Sequence, residues 1–385
     1  MHTMQLRDLA GEIQRQASAA HDLVVPTSRI RLTEPTPTIS GEALLNDLLS
    51  RPLTSGMAVP RGIRLAVEGN GDFAVTDHAH RQIAQRVGIP AAYYDRLRKS
   101  SPALLAENVN HWWTAEPDRR MLRTLDGRVR AFVSDRFRAL DNWMIANAAL
   151  PVILGTTDVE ILTCNLTERK LYIEVRLPKV SEAIRSQSAV GDVVQAGIRL
   201  TNSEIGVGAF AVQPMAWVLR CTNGLVVCEG FARRHVGKRI AGDGDDVVAD
   251  FYGDDTVQAD NQALLLKIRD EVKHAMDATS FRGHVERFQA AADQKLDPTK
   301  LNDAIAVVKT RYALTEMEGD GILGALVQGG DLSRWGLQNA LTFQAHDKSA
   351  SDYDRAIEYQ EAGGDLATMD PAEWDALMAK TVGKS

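Results

Sequence analysis

Cysteine is scarce in this sequence, with 3 residues among 385. So small and odd a number excludes a disulfide framework and is typical of proteins in a reducing cytoplasm. Long apolar runs are missing too, because no stretch approaches the roughly 18 residues of a membrane-spanning helix. The first residues, MHTMQLRDLAGEIQRQ, lack the apolar centre of a secretion signal. The sequence therefore predicts a cytoplasmic protein that has no membrane partner.

Motifs for catalysis and cofactor binding are also lacking. There is no phosphate-binding loop that ends in Gly-Lys-Ser or Gly-Lys-Thr. The glycines of Gly206–Ala211 fit a loose dinucleotide pattern, but Pro214 and a strand pattern follow where that site needs a helix. These absences favour a protein without catalytic residues, cofactor or metal. A metal-dependent nuclease that uses Asp243–Asp255 with Glu229 stays open as a third alternative.

Charge is divided unevenly along the chain. Residues 1–240 contain 30 Lys and Arg against 24 Asp and Glu, which is a net charge of +6. Residues 241–385 contain the other 14 and 27, which is −13, and the whole chain carries −7. This division indicates a basic body with an acidic C-terminal part. A basic body favours a polyanionic partner, while solvated acidic helices would give the same division without any partner.

The spacing of apolar residues changes twice along the chain. Near both ends it fits helices, and from 119 to 232 it alternates with the period of two that strands show. The predicted helices cover 4–20, 77–87, 91–99, 102–113, 259–291, 298–314, 332–346 and 351–362, and a hairpin is expected around GNGD at 69–72. Residues 21–60, which are rich in Pro, Thr and Ser, fit no regular element.

These elements predict an α+β fold, with an antiparallel β-rich core and helical N-terminal and C-terminal parts. The expected domains are an N-terminal α+β region at 1–117, the β-rich core at 118–240, an acidic Gly/Asp linker at 241–257 and an acidic helical region at 258–385.

One core hairpin is expected at CTNGLVVC, residues 221–228. With Asn223 and Gly224 as the central residues of a type I′ turn, alternation places an apolar set on one face: Leu219, Cys221, Val226 and Cys228. The two thiols would lie roughly 7 Å apart as diagonal neighbours, which is too far for an unstrained disulfide. The spacing to His235 does not suit structural zinc, so a buried cysteine pair is favoured over a zinc site.

A second hairpin is expected at RRMLRTLDGRVRAFVSDRFR, residues 119–138, with its turn at Asp126-Gly127. This register pairs Arg123 with Arg130 and Leu122 with Ala131, and it places four arginines on one outward face: Arg119, Arg123, Arg128 and Arg130. Like charges on one face repel each other, and an anionic polymer lying over them would remove that repulsion. Solvated arginines, or arginines paired with carboxylates of the same chain, are the alternative.

Further candidate nucleic-acid contacts flank this hairpin. Basic residues continue the path at Arg136, Arg233, Arg234, Lys238 and Arg239. Trp112 and Trp113 could stack on bases, although neighbouring tryptophans at a helix end also fit packing. The stretch HRQIAQRVGIPAAYYDRLRK, residues 80–99, fits a helix-turn-helix with Gly88 in its turn and with Tyr93 and Arg96 on its second helix. A plain helical hairpin is the alternative for this stretch.

Several stretches taken in order resemble one family. They are QRVGIPAAYYDRL with LLAENVNHWW, RAFVSDRFRALDN, TNSEIGVGAF, RCTNGLV followed by RRHVGK, and WGLQNALTFQAHD, which together run from about residue 80 to residue 347. The chain resembles the phage- and plasmid-borne proteins known as the domain of unknown function 932. The resemblance implies a prokaryotic mobile element and a role in DNA replication, recombination or host takeover, and it transfers no catalytic residue. Asn202, Ser203, Asn223 and His235, together with Cys221 and Arg234, match recurrent motif positions whose roles are open.

Together these observations favour a non-enzymatic nucleic-acid-binding protein of a phage, prophage or plasmid. Such a protein would bind or anneal single-stranded DNA in recombination or replication, and a homo-oligomer is compatible with that role. The alternative is a protein–protein interaction module, either a host-factor inhibitor or an assembly subunit. In that case the acidic C-terminal half would carry the contacts.

Overall fold

The structure is a computed structural model, and it describes residues 4–34, 62–137, 140–185, 192–219, 223–226, 231–233, 254–349 and 353–382. Contacts divide the described chain into two compact units. The first unit contains described residues 12–137, and the second contains residues 4–11 together with the described residues from 140 onward. The division between them falls within the first helix.

The first unit is a six-stranded sheet with helices on one face. Its elements in chain order are the second half of α1 (Leu6–Ala19), β1 (Ala20–Pro26), β2 (Ile30–Thr33), β3 (Arg64–Val67), β4 (Gly71–Val75), α2 (Asp77–Arg86), α3 (Ala91–Ser100), α4 (Pro102–Ala115), β5 (Arg119–Leu125) and β6 (Arg128–Ser134). The strand order is β1-β5-β6-β4-β3-β2. Neighbouring strands are antiparallel except β4 and β6, which run parallel.

Short-range signals form the turns and helix ends of this unit. Gly69 and Gly71 have φ of 78° and 89° between β3 and β4, a backbone conformation that glycine adopts without steric cost. Asp126 and Gly127 have φ of 51° and 71°, as the two central residues of a type I′ turn require. The Thr76 hydroxyl caps α2 by accepting a hydrogen bond from the backbone of the third residue after it.

Helices α2, α3 and α4 bury their apolar sides against one face of this sheet. The shared core contains Ile30, Leu32, Leu65, Val67, Leu122, Val129 and Phe132 from the strands and Ile83, Tyr94, Leu97, Leu105, Val109 and Trp113 from the helices. Because side chains alternate along a strand, the residues between these core positions point to the opposite face of the sheet. That opposite face carries the arginines considered below.

The second unit joins a six-stranded antiparallel sheet to a helical region. Its elements are α5 (Asn142–Gly155), β7 (Glu160–Leu166), β8 (Leu171–Ile184), β9 (Asp192–Asn202), β10 (Phe210–Val218), β11 (Asn223–Val226), β12 (Phe231–Arg233), α6 (Asp254–Ala275), α7 (Ala278–Asp293), α8 (Leu301–Tyr312), α9 (Glu316–Gly329), α10 (Arg334–Ser349), α11 (Tyr353–Thr368) and α12 (Pro371–Val382). The strand order is β11-β10-β9-β8-β7, and β12 pairs with β10.

Two buried clusters hold the second unit together. In one, apolar residues of the sheet pack against Phe281 and Phe288 of α7 and Trp335 of α10. The Trp335 indole also donates a hydrogen bond of 2.8 Å to Asp192 at the start of β9. The other cluster lies among α8 to α12, with Ile322, Leu337, Leu341 and Tyr359 near its centre. Among the described helices, none combines the length and the hydropathy that crossing a lipid bilayer needs.

The predicted fold class is confirmed, because the chain is α+β with a central β-rich region and helices at both ends. Several element predictions are wrong. The region predicted to lack regular structure contains β1 and β2, and helix α5 separates the strands of the β-rich region, which form two sheets rather than one. The single helix expected at 259–291 is two helices, because Asp277 interrupts it and caps α7. Helices α9 and α12 were not anticipated.

The predicted turn at Asn223-Gly224 is wrong. Asn223 pairs with Val218 and Gly224 pairs with Trp217, so both residues lie within β11. Leu219, which follows β10, is 38 % exposed rather than part of an apolar face. The Asn-Gly pattern alone does not distinguish a two-residue turn from the first residues of a strand. Cys221 and Cys228 lie outside the described residues.

Candidate nucleic-acid interface

Strand β6 carries one residue more than β5 in the hairpin that turns at Asp126-Gly127. The pairs next to the turn are the predicted ones, Leu125 with Arg128 and Thr124 with Val129. Beyond them the register shifts, and Arg123 pairs with Ala131 while Leu122 pairs with Phe132. The predicted pairs of Arg123 with Arg130 and of Leu122 with Ala131 are therefore wrong. In such a β-bulge two residues oppose one, so Arg130 and Ala131 both lie on the side of Arg123.

Arginines from four strands share the sheet face opposite the helices. The pairings of β2, β3, β4, β6 and β5 align Thr33, Arg64, Ala74, Arg128 and Leu125 in one row across that face. The backbones of Arg64 and Arg128 are two strand spacings apart, a distance of roughly 10 Å. We call this surface the arginine face and define it by Arg31, Arg64, Arg119, Arg128 and Arg130.

The members of the arginine face differ in exposure. Arg31 and Arg119 are exposed, whereas Arg64, Arg128 and Arg130 are half-buried. Arg64 donates a hydrogen bond of 2.9 Å to the backbone carbonyl of Asp72 on the neighbouring strand. A half-buried guanidinium group on a sheet has fewer rotamers to lose when it contacts a phosphate, so less entropy opposes binding.

Arg123 does not belong to the exposed surface, and the prediction that it faces outward is wrong. Its side chain is 1 % exposed. Its Nε donates a hydrogen bond of 3.0 Å to Asp22, which lies directly opposite it on β1. Its guanidinium carbon lies 5.9 Å from the centre of the Phe137 ring. Arg123 thus joins β1 to β5, and its charge is balanced by a carboxylate of the same sheet.

The predicted helix pair at 80–99 is present, with Gly88 at φ 69° in the turn between α2 and α3. Two polar contacts hold its helices together. The Tyr94 hydroxyl and His80 Nδ1 are 2.9 Å apart, and both side chains are buried. Arg98 forms an ion pair of 2.8 Å with Asp77 at the start of α2. These contacts join the two helices, as a structural hairpin requires.

Burial keeps both partners of the His80–Tyr94 contact uncharged at neutral pH. It lowers the pKa of His80 to about 4, and the positive charge of Arg98 acts in the same direction while Asp77 opposes it. Burial also raises the pKa of the Tyr94 hydroxyl. At neutral pH the pair is therefore an uncharged imidazole beside an uncharged phenol. Such a pair fits a core contact, because neither partner carries a charge that would need solvation.

The two tryptophans have different environments. Trp113 is 1 % exposed, and its ring stacks on Phe132 with centres 5.6 Å apart, so the prediction that it stacks on bases is wrong. Trp112 is 42 % exposed and meets the His111 ring edge-on. Residues one apart on a helix differ by about 100° in direction, so only one of them can face the sheet.

The structure divides the predicted contacts between two opposite surfaces of the first unit. Tyr93, Arg96 and Trp112 are exposed on the helices, which cover the apolar side of the sheet. The arginine face lies on the other side of the same sheet. Arg136 is exposed in the turn after β6, and within the described chain neither it nor Arg119 forms an ion pair. A ligand that lies flat on one of these surfaces therefore contacts only one of the two sets.

Sequence reasoning missed Arg31 and Arg64 as members of the arginine face. The signal was present as alternation, since each follows an isoleucine and precedes a leucine in IRL at 30–32 and again at 63–65. Ile30, Leu32, Ile63 and Leu65 are buried in the core, so the intervening arginines point away from it.

The motif positions Asn202 and Ser203 have structural roles. Asn202 is 1 % exposed and donates hydrogen bonds of 2.8 Å to the Leu140 carbonyl and to the Asn142 side chain. The Ser203 hydroxyl accepts a hydrogen bond from the backbone of Val207. The next residue, Glu204, accepts one of 2.7 Å from the Asn142 backbone, at the start of α5. Two stretches that carry the family resemblance, 130–142 and 201–210, therefore meet at this helix end.

The remaining candidates lie at the ends of the described ranges or beyond them. Arg234, His235, Lys238 and Arg239 lie outside the described residues, and Asn223 and Arg233 are placed only as members of β11 and β12. Of the carboxylates considered for a nuclease, Asp254 and Asp255 begin α6, and the rest of that stretch is not described. Across the described ranges, no group of three or more His, Cys, Asp or Glu could hold a metal ion.

Comparison of the sequence and the structure with protein-family models, curated proteins and solved structures found no match.

Proposed function

We propose that this protein binds nucleic acid without acting on it chemically, and that the polymer lies along the arginine face. The observation that carries this proposal is the group of arginines on one face of the sheet, with Arg64 and Arg128 in one row on either side of Ala74. A small residue between two arginines leaves room for a sugar-phosphate backbone between their guanidinium groups. Guanidinium groups suit this task because they bind phosphate oxygens through two parallel hydrogen bonds.

Single-stranded DNA is the ligand that we favour. A flexible strand can follow five basic groups that are spread over a twisted sheet, whereas a duplex presents its phosphates on a rigid helix. The carboxylate of Asp22 does not oppose this, because it is engaged by Arg123. The resemblance to phage- and plasmid-borne proteins suggests recombination or replication as the setting.

The five arginines set the expected salt dependence. Each phosphate contact to a single strand contributes about −0.7 to the slope of log affinity against log salt. Five contacts therefore give a slope of roughly −3.5 for the native protein. Arg123 is left out of this number because it is buried in its ion pair.

The test is a salt titration of a fluorescent single-stranded oligonucleotide by anisotropy. Replacing Arg64 and Arg128 together by Gln should flatten the slope by about 1.4, with no dependence on oligonucleotide sequence. The matched control is Arg96→Gln, which removes an exposed arginine from the helical side and should leave the slope unchanged. If Arg96→Gln has the larger effect, the helical surface is the interface. If the native protein does not bind at low salt, the proposal is wrong.

A further inference from the structure

The two edges of the first sheet differ in how their backbone groups are satisfied. Strand β2 forms one edge, and the Asn110 side chain of α4 covers it. The backbone N–H of Leu32 donates to Asn110 Oδ1 at 2.8 Å, and Asn110 Nδ2 donates to the Leu32 carbonyl at 2.9 Å. Strand β1 forms the other edge, and within the described chain no strand pairs with its outer side. An open edge presents N–H and C=O groups that pair readily with a further strand.

The pairing of β1 with β5 shows which backbone groups point outward. Directly after β1, the Thr27 backbone donates to the Asp118 carbonyl at 2.8 Å. In an antiparallel ladder, residues that bond to the neighbouring strand alternate with residues whose groups point away from it. Val25 therefore bonds to β5, and the N–H and C=O groups of Val24 and Asp22 point away from the sheet.

The side chains of β1 fit an edge strand. Pro26 belongs to the outward set, where proline is tolerated because its missing N–H would have pointed away from β5. Val24 is 42 % exposed, and among the described residues no hydrogen bond reaches the outward backbone groups of Val24 or Asp22. On the helix side, Leu23 and Val25 are half-buried at the margin of the core. The edge therefore offers both backbone groups and apolar surface to a second strand.

We propose that β1 pairs antiparallel with β1 of a second copy of this chain, about a two-fold axis beside Leu23. In this register Leu23 lies opposite the partner's Leu23, and Asp22 lies opposite the partner's Val24. The outward N–H and C=O groups of Asp22 and Val24 then bond to each other in both directions. A two-fold axis gives both copies the same contacts, as in most homodimers.

The occupant follows from the self-complementarity of β1. A register centred on Asp22 would place two carboxylates opposite each other, and like charges in that position repel. A register centred on Val24 would place the Asp22 carbonyl opposite Pro26, which has no N–H to donate. The register centred on Leu23 avoids both faults, and it brings the Leu23 side chains of the two core margins together.

This dimer would join the two arginine faces. The two-fold axis of an antiparallel strand pair is perpendicular to the sheet, so both arginine faces lie on the same side of one continuous sheet. Arg119 pairs with Pro26 and thus lies one strand from the junction in each copy. A single strand could then follow both six-stranded sheets. The joint binding surface rests on the proposed function, whereas the dimer itself does not.

The test is gel filtration with light scattering on the full chain, without nucleic acid, over a range of concentrations. The native protein should reach twice the 42.2 kDa mass of one chain. Val24→Pro removes an outward N–H, keeps the bonds to β5 and should give the mass of one chain with a native circular-dichroism spectrum. Val24→Thr is the matched control, because it keeps the N–H and should still dimerise. A native protein with the mass of one chain throughout, or a Val24→Thr variant that dissociates as fully as Val24→Pro, overturns the proposal.

Cysteine cross-linking tests the register. Opposite residues that do not bond across a strand pair have Cα atoms about 4.5 Å apart, within the range that a disulfide spans. Leu23→Cys should therefore form a covalent dimer under mild oxidation, beyond the background of the native protein treated in parallel. The control is His21→Cys, whose copies would lie roughly 14 Å apart along the strands. If His21→Cys cross-links as fully as Leu23→Cys, the proposed pairing is wrong.

Oligonucleotide length separates this inference from the proposed function. The native dimer should be saturated by a single strand about twice as long as the one that saturates the Val24→Pro monomer. Equal lengths for a dimeric native protein would overturn the joint surface. If neither protein binds the oligonucleotide, the proposed function fails, while the measured mass alone decides on the dimer.

Discussion

Mild acid should destabilise the first unit through a single buried imidazole. His80 is 3 % exposed, and its Nδ1 lies 2.9 Å from the Tyr94 hydroxyl. Burial first, and then the charge of Arg98, lower its pKa from the ordinary 6.5 to about 4. In the unfolded chain the same imidazole takes up a proton as the pH falls through 6.5. The folded state cannot take up that proton until about pH 4, so acid favours unfolding.

The size of this effect follows from the pKa difference. One pKa unit corresponds to about 1.4 kcal/mol, so the full loss between neutral pH and pH 4 is roughly 3 kcal/mol. Between pH 7 and pH 5 the loss from His80 alone is roughly 2 kcal/mol. The sign is fixed because a base with a lowered pKa contributes stability above its unfolded pKa, and that contribution disappears as the pH falls towards the folded pKa.

Urea unfolding at pH 7 and pH 5 measures this loss when native protein is compared with His80→Gln. Glutamine is neutral at both pH values and can keep a hydrogen bond to Tyr94, so the variant should be less sensitive to acid by roughly 2 kcal/mol. His111→Gln is the matched control, since His111 is exposed and the pH sensitivity should then stay native. Titration of the His80 ring protons by NMR with a midpoint near 6.5, or an unchanged acid sensitivity in His80→Gln, would refute the reasoning.

Two further predictions concern the second unit. Arg199 and Glu174 form an ion pair on β9 and β8 that is almost wholly buried. Arg199→Met should lower the free energy of unfolding by about 3–5 kcal/mol because Glu174 is left as a buried charge, and adding Glu174→Leu should restore most of that loss. A double variant less stable than the single one would contradict this. Gly197→Ala should lower the free energy of unfolding by at least about 1–3 kcal/mol. The reason is that the new methyl group would collide with the Val175 carbonyl oxygen and the Trp217 indole. Gly283→Ala in α7 is its matched control, because nothing lies within 4 Å, and thermal unfolding should show it to be more stable by roughly 0.5–1 kcal/mol.

The elements that sequence reasoning predicted well depend on neighbouring residues alone. Thr76 caps a helix by bonding to the backbone three residues on, and Asp126-Gly127 forms a tight turn because of its own backbone preferences. The hairpin around GNGD and the helices at 91–100 and 102–115 follow the same logic. Such signals span a few residues, so they can be read without knowledge of the rest of the chain.

The candidate site was predicted less well because long-range pairing shapes it. Strand β1 lies in a stretch predicted to have no regular structure, and it brings Asp22 opposite a residue 101 positions later in the chain. Because of that contact, the Arg123 side chain is buried and not exposed. No local sequence pattern indicates the β-bulge at Arg130. The bulge changes the pairing of β5 with β6, from which the outward face of four arginines was predicted.

The amino-acid sequence by itself determined the α+β class, the turn at Asp126-Gly127 and the alternation of arginine with apolar residues. Only the tertiary structure decided that Arg123 is buried against Asp22, that Trp113 belongs to the core, and that Asn202 fastens the start of α5. The physical reason is that alternation and turn preference are local properties of the backbone. Burial depends instead on which distant strand or helix packs on a given face. The order in which strands pair depends on contacts between residues far apart in the chain, so no short segment determines it.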